Sequence, residues 1–197
     1  MLIKRCFDIV ASVIGLLILV PLFLVVSIWI KFDSIGPIFF RQIRVGRDGK
    51  LFQILKFRTM KMEAEKCGQI TLKNDVRVTQ SGKFLRRFKI DELPQLINVV
   101  LGEMSLVGPR PEVPRYVHFY PPEVRKVVLS VSPGITDWAS IEFKDENDLL
   151  ESSDNFEKAY IETILPTKLA YCIRYVNQRS FLVDLRIIFA TIGAISH

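Results

Sequence analysis

The sequence predicts an α+β protein, mostly helical, in which an apolar N-terminal helix containing a proline is joined to a small globular domain with one β-hairpin. Three observations predict this. No charged residue lies between Asp8 and Lys31. Two apolar segments flank Gly46-Arg47-Asp48-Gly49, a turn with the glycines a hairpin needs. Beyond residue 80 the apolar residues recur mainly at helical spacing.

The first element covers residues 1–32. The 22 uncharged positions from Ile9 to Ile30 reach the roughly 20 that a membrane-crossing helix needs. A cleaved signal peptide has a shorter apolar region, about 7–15 residues, followed by small residues, and Leu22-Phe23-Leu24-Val25-Val26 offers no such site. Two features complicate a simple span. Lys4 and Arg5 precede the segment while Lys31, Arg41, Arg44 and Arg47 follow it, which draws both ends toward the same side of a membrane. Pro21 sits near the middle, where it removes one backbone hydrogen bond and kinks or breaks the helix. A helix bent at Pro21 would enter one leaflet and return, whereas a tolerated proline would leave an ordinary span. The residues themselves leave both forms open.

Residues 33–197 then read as one globular domain, continuous with the helix and without repeats or linkers. Ile38-Phe39-Phe40 and Leu51-Phe52-Gln53-Ile54-Leu55 are the expected hairpin strands. Residues 60–80 are polar and predict a loop with a short helix. Phe84, Leu85 and Phe88, interleaved with Lys83, Arg86, Arg87 and Lys89, predict a basic amphipathic helix. A second helix is expected to start around Asp91-Glu92-Leu93-Pro94 and run to Gly102, since proline and acidic residues suit a first turn. Gly108-Pro109-Arg110-Pro111 predicts a stiff loop, residues 121–129 a helix, and Ser132-Pro133-Gly134 a turn. Residues 154–178 predict a helix broken at Pro166. The apolar stretch from Phe181 to Ile195 is too short and too charged to span, and either packs on the core or lies at an interface.

Composition limits the chemistry. The net charge is +6, with the basic residues concentrated between Lys31 and Arg110, so anionic partners are favoured without any one being selected. Cys6, Cys67 and Cys172 have neither metal spacing nor a disulfide count, and suit a reducing compartment. With only His118 and His197 present, the sequence argues against a histidine metal site or a Ser-His-Asp triad as the basis for catalysis. Chemistry is expected to rest on carboxylates, Arg and Lys.

Three places offer it. Asp91-Glu92 follows a basic helix and begins another, which is common for mere capping. The same position makes an anion site in which a carboxylate stays ionised, and an ionised carboxylate attacks phosphorus in aspartyl-phosphate enzymes. Its neighbour, about 100° round the helix, is free to support a divalent metal. Arg110, held between Pro109 and Pro111, is either a phosphate-binding guanidinium or the ion-pair partner of an acid such as Glu112. Lys56 and Arg58 fall on one face of a strand, as a phosphate clamp or simply as a solvated face.

Taken in order, these residues resemble the bacterial sugar transferase family, the monotopic phosphoglycosyl transferases. The resemblance is carried by Lys4-Arg5-Cys6-Phe7-Asp8, Pro37-Ile38-Phe39-Phe40-Arg41-Gln42 and Lys56-Phe57-Arg58-Thr59-Met60. It continues through Asp91-Glu92-Leu93-Pro94-Gln95-Leu96, Asn98-Val99, Met104-Ser105-Leu106-Val107-Gly108-Pro109-Arg110-Pro111 and Pro133-Gly134-Ile135-Thr136. It implies transfer of a sugar phosphate from a UDP-sugar to a polyprenol phosphate such as undecaprenyl phosphate, with release of UMP. The implied route is ping-pong through a phosphosugar on Asp91. It further implies Mg²⁺ supported by Asp91 and Glu92, and phosphate binding by Arg86 and Arg110.

The resemblance also implies a re-entrant helix bent at Pro21, interfacial amphipathic helices, and a catalytic domain on the cytoplasmic face of the bacterial inner membrane, in contact with its lipid. Nucleic acid is not an expected partner, and the oligomeric state is open, a homodimer included. Two departures stand out. Val20 occupies the place where members often have Ser, and Asp137-Trp138-Ala139-Ser140 stands where Gly-Trp-Ala-Gln is common. The second leaves the sugar open. The competing reading is a membrane-tethered basic binding or scaffold protein that performs no catalysis.

Overall fold

In the computed structural model, residues 2–62, 75–143 and 156–196 are described. Helix α1 (Leu2–Asp33) runs unbroken through Pro21. One lost hydrogen bond does not by itself end a helix of this length. Val26 and Ile30, with Leu22 and Phe23 beside them, form a cluster with Phe57 and Leu85 of the globular domain. Nearer the N-terminus, Asp8 and Ser12 are buried.

Both ends of α1 dock on the same body. At the start, Lys4 pairs with Asp184 at 2.6 Å, Arg5 donates to the Val99 carbonyl at 2.8 Å, and Ser105 Oγ donates to Asp8 at 2.7 Å. At the end, Asp33 accepts from the Ser81 backbone N–H at 2.9 Å and from its hydroxyl at 2.7 Å. Between them the outer face is apolar and bare: Val10, Ile14, Leu17, Ile18, Leu24, Val25 and Ile28 are each more than half exposed. A patch of that size marks an interaction surface for a membrane or for another protein.

Strands β1 (Phe39–Val45) and β2 (Leu51–Phe57) form the predicted antiparallel hairpin, with Val45 opposite Leu51 at the turn and Phe39 opposite Phe57 at the open end. The turn needs left-handed backbone at Asp48 (φ 56°) and Gly49 (φ 77°), which short polar residues and glycine supply. Helix α2 (Gln80–Arg87) is capped by the Thr79 hydroxyl, which accepts from Gly82 N. Gly82 lies so close to Thr59 that a Cβ there would sit 2.1 Å from the Thr59 carbonyl oxygen. Glycine is therefore what lets α2 lie against the strand exit.

The next helix differs from expectation. A 3₁₀ turn (Ile90–Glu92) comes first, and α3 (Gln95–Leu101) begins after Pro94, closed by Gly102 at φ 90°. Asp91 and Glu92 thus lie in the 3₁₀ turn that precedes α3. Then come β3 (Ser105–Val107), α4 (Pro114–Val117), α5 (Pro122–Val128), β4 (Gly134–Thr136) and α6 (Trp138–Glu142). Residues 132–134 are more than a turn, because Gly134 starts a strand parallel to β3. A two-stranded ladder of three residues has no periodicity for a sequence reading to find.

The last elements are α7 (Phe156–Ala159), a π-helical turn (Tyr160–Ile164), α8 (Leu165–Gln178) and α9 (Phe181–Ser196). The helical run does not end at Pro166; a π-helical turn directly precedes it, and Pro166 lies in the first turn of α8. The expected helix start at residues 154–155 and most of the 60–80 loop lie outside the described residues. Helix α9 packs on the core along one face and leaves the other bare. Ile187 is fully buried with Val107 and Tyr175, whereas Leu182, Phe189 and Ile192 are exposed.

Candidate active site

Lys89 takes a left-handed conformation (φ 55°) that swings the chain from α2 into the 3₁₀ turn. This places Asp91 and Glu92 against the end of β2, both nearly buried, at 7% and 9% exposure. Glu92 Oε1 accepts from Lys56 Nζ at 2.8 Å, and Arg110 grips the same carboxylate with both terminal nitrogens, Nη1 reaching Oε2 at 3.1 Å. Burial alone would raise the Glu92 acid, but Arg110 and Lys56 outweigh it and hold the group well below its ordinary range. Glu92 is an anchored anion at neutral pH.

Asp91 is the opposite case. Burial and the adjacent Glu92 raise its acid above the ordinary value, against the pull of Lys56, Arg86 and Lys89. Its Oδ1 is buried with no hydrogen-bond partner among the described residues. An unpartnered buried oxygen costs about 1–3 kcal/mol, so something absent from the chain itself suits this position. The capping reading of the pair therefore accounts for neither residue.

Arg110 is aimed by its loop. Gly108 and Gly134 approach so closely that a Cβ on Gly134 would lie 2.1 Å from Gly108 N, which locks the loop onto β4. Asp137 accepts from the Arg110 backbone N–H at 3.3 Å and from Ser140 N at 2.7 Å, while Arg44 donates to the next carbonyl, Pro111 O, at 3.1 Å. Glu112 is not the partner of Arg110; it accepts from Arg44 at 3.3 Å and from the Tyr160 hydroxyl at 2.8 Å. Attraction to Glu92 raises the Arg110 acid further, so its charge is permanent.

Of the other candidates, Arg86 donates to Thr59 Oγ1 at 2.9 Å and shares an electrostatic interaction with Asp91. Arg58 lies elsewhere. It is 4% exposed and donates to the Ser34 and Ile35 carbonyls at 2.7 and 2.6 Å, just beyond the end of α1. Strand alternation would have kept Lys56 and Arg58 on one face, but β2 ends at Phe57, so the period stops between them. Pro21 is likewise distant in role and belongs to α1. Asp137 stood out only as a departure from the family pattern and Arg44 only as one of the cations after the apolar segment; their contacts and that of Tyr160 join segments 27, 67 and 48 positions apart, which no sequence pattern marks.

The pair also tests the fit of a divalent cation. Among the described residues no group of three or more His, Cys, Asp or Glu side chains is placed to bind one. Two adjacent carboxylates with one orphaned oxygen do suit a magnesium-like ion, which takes one or two carboxylates and completes its shell with water and substrate phosphate. The donor set fits Mg²⁺ as part of a substrate complex.

An anchored anion, a desolvated second carboxylate and three neighbouring cations lie on a body that carries a long bare apolar helix, a charge arrangement that suits an anionic, phosphate-bearing ligand. The profile of the bacterial sugar transferase family matches residues 1–197, and the chain belongs to that family. It is 38% identical over 195 residues to the UDP-glucose:undecaprenyl-phosphate glucose-1-phosphate transferase of Escherichia coli (strain K12), covering 97% of this chain and 39% of that protein. It is 37% identical over 196 residues to a UDP-N-acetylgalactosamine-undecaprenyl-phosphate N-acetylgalactosaminephosphotransferase of Aeromonas hydrophila, covering 98% of this chain and 43% of the other. The exopolysaccharide production protein PSS of Rhizobium leguminosarum bv. phaseoli is 36% identical over 201 residues, with 98% of this chain and 94% of that protein covered. The chain thus spans about two fifths of the length of the first two of these relatives and nearly all of the third.

Proposed function

We propose that this chain is a phosphoglycosyl transferase that moves a sugar 1-phosphate from a UDP-sugar to a polyprenol phosphate, undecaprenyl phosphate in particular, and releases UMP. The observation that carries the reading is the division of labour within the pair: Glu92 is held by Lys56 and Arg110, while Asp91 Oδ1 has no partner among the described residues. An incompletely solvated carboxylate is a stronger nucleophile than one in water.

In the first half-reaction an Asp91 oxygen bonds to the sugar-bearing phosphorus. The bond from that phosphorus to the oxygen bridging the two phosphates breaks, and its electron pair leaves with UMP. In the second, an oxygen of the polyprenol phosphate bonds to the same phosphorus, the acyl-phosphate bond breaks, and the Asp91 carboxylate is restored. Neither step needs a proton, in keeping with a site that lacks histidine. Lys56, Arg86 and Arg110 neutralise phosphate charge and position the groups. Asp91 and Glu92 would hold Mg²⁺, which supplies further charge neutralisation on the diphosphate.

We further propose that α1 is re-entrant and lies in one leaflet of the inner membrane, with the catalytic domain on the cytoplasmic face. Docking of both Lys4 and Asp33 on one globular body supports this, since a helix crossing the bilayer would carry its ends to opposite faces. A cysteine at position 2 and one at position 50 should be labelled from the same side of sealed vesicles; labelling from opposite sides would establish a span.

The enzymatic reading is tested by UMP release from purified protein over a panel of UDP-sugars. Wild type should release UMP with at least one sugar and accumulate a phosphosugar adduct on Asp91 when the lipid is withheld. Asp91→Asn should lose nearly all of both. Release that survives the substitution moves the nucleophile elsewhere, and a basic binding protein releases none.

A further inference from the structure

Asp91 Oδ1 is not the only orphan in this turn. Gln95 is 1% exposed, and its side-chain Nε2 is buried with no partner among the described residues. Its place in the backbone explains why the two belong together. From Lys89 to Ile97 the chain winds through i→i+3 bonds: Glu92 N to Lys89 O at 3.2 Å, Leu93 N to Ile90 O at 3.2 Å, Leu96 N to Leu93 O at 3.1 Å, and Ile97 N to Pro94 O at 3.0 Å. In 3₁₀ geometry residues three apart stand one above another. Gln95 therefore stands above Glu92, and the ridge continues, turned by about 60° on entering α3, to Asn98; all three are buried.

The outer members of the ridge both engage β2. Lys56 donates to Glu92 at 2.8 Å, and the Leu55 backbone N–H donates to Asn98 Oδ1 at 3.0 Å while Asn98 Nδ2 donates to Gln53 O at 2.8 Å. Gln95, between them in the chain, has no such bond for its donor. Side chains on a helical turn lean toward its N-terminal end, which for Gln95 is the end holding the carboxylate pair. A donor and an acceptor, both desolvated and neither satisfied, lie within one turn of each other and do not bond to each other. Such atoms cost stability, and each calls for a partner outside the chain, a water, an ion or a ligand.

We infer that Gln95 is a further catalytic residue of this site, its amide donating to a non-bridging oxygen of the phosphoryl group that Asp91 attacks. The inference rests on the proposed transfer reaction. Charge on the equatorial oxygens must be met as the phosphorus passes between Asp91 and its two partners, and a fixed donor in a desolvated site does this without reorganisation. Arg110 and Lys56, already engaged with Glu92, leave such a neutral donor a distinct role. The structural alternative is an amide satisfied by a buried water, holding α3 against β2.

The two are separated by Gln95→Met, which keeps length and bulk and removes the donor. Full-length wild type, Gln95→Met and Asp91→Asn are compared in nanodiscs. Adduct formation is followed by quenched-flow mass spectrometry with saturating UDP-sugar and no lipid acceptor, and thermal unfolding is measured without substrate. Gln95→Met should form the adduct about a hundredfold more slowly, as for the loss of one oxyanion donor, with a Tm equal to or above that of wild type. A rate within about threefold of wild type, or a slower rate with a lower Tm or failure to fold, overturns the proposal and makes the amide structural. If wild type forms no adduct, or Asp91→Asn still does, the transfer reading itself fails and takes this proposal with it. If those two behave as proposed and Gln95→Met matches wild type, this inference alone is wrong.

Discussion

Replacing Glu92 by Gln removes the anion on which two cations converge, and the structure gives both the size and the sign of the effect. Lys56 and Glu92 are 16% and 11% exposed as side chains, so their pair is largely desolvated, whereas Arg110 at 39% keeps access to water. Removing one partner of a buried pair costs about 3–5 kcal/mol, because the other charge is left stranded. With Arg110 able to turn to solvent, the loss here falls to about 2–3 kcal/mol. For a chain of this length each kcal/mol moves Tm by about 2–4 °C, so the variant should melt roughly 4–12 °C lower. The stranded cations then become a vacant phosphate site. UMP at about a hundred times its Kd returns ~2.7 kcal/mol by linkage. In metal-free thermal scans, UMP should therefore raise the Tm of Glu92→Gln more than that of wild type. Equal UMP shifts in the two proteins, or no destabilisation by the substitution, would refute the idea that Glu92 occupies the phosphate-binding cations of the free enzyme.

Other outcomes follow from the same geometry. Arg110→Lys keeps the charge but loses the two-pronged grip on Glu92, and should lower kcat/KM for the UDP-sugar by about tenfold or more, read by UMP release. Arg58→Ala removes two charge-assisted bonds to carbonyls at the end of α1 and should cost about 2–4 kcal/mol in denaturant unfolding, with KM for the UDP-sugar unchanged in the surviving folded protein. The pH dependence has two parts. Glu92 is depressed below its ordinary 4.5, so its stabilisation is present above that pH and is lost as pH falls through its lower folded value. Asp91 is raised above 3.8, so its ionisation costs stability above that pH, and the cost is relieved on acidification. Transfer needs the ionised form, so the acid limb of the rate profile should lie above 3.8 and move to lower pH in Glu92→Gln, where the repulsion is gone.

What could be read in the sequence was what short-range pattern encodes. The hairpin was visible because Gly46 to Gly49 sits between two apolar runs, and α1 because a charge-free run of that length has few other uses. Asp91, Glu92 and Arg110 were visible as residue types in rigid local settings. Their opposite states were not. Both carboxylates read alike as residues at a helix start, and only the reach of Lys56 and Arg110 to one of them makes the first a desolvated acid and the second an anchored anion. The misplaced residue, Arg58, failed for a related reason: alternation predicts facing only while the strand lasts, and the ladder ends one residue earlier. Asp137 and Arg44 fix the backbone of the Arg110 loop from positions 27 and 67 residues away, contacts to which no periodicity refers.

Lys56-Phe57-Arg58 shows how the apolar helix and the site are joined mechanically. Phe57 is 1% exposed, stacks on Phe39 at 5.3 Å and meets Phe23 of α1 edge-on at 5.0 Å, within the cluster that buries Val26 and Ile30. Its neighbour on one side, Lys56, holds Glu92; its neighbour on the other, Arg58, holds the chain at the end of α1. Successive residues at a strand end point to different sides, so three consecutive positions tie the apolar helix to the carboxylate pair. Under the proposed reaction this matters for the second half-step. A lipid phosphate stays at the membrane surface while its chain stays in hydrocarbon, so the phosphorus on Asp91 must be held at that depth. A helix docked at both ends and clamped through Phe57 fixes the depth without a moving part. Phe57→Ala, which loosens the clamp and leaves Lys56 and Asp91 intact, should therefore slow transfer to the lipid more than it slows release of UMP in the first half-reaction. Equal slowing of the two would mean that Phe57 serves the fold alone.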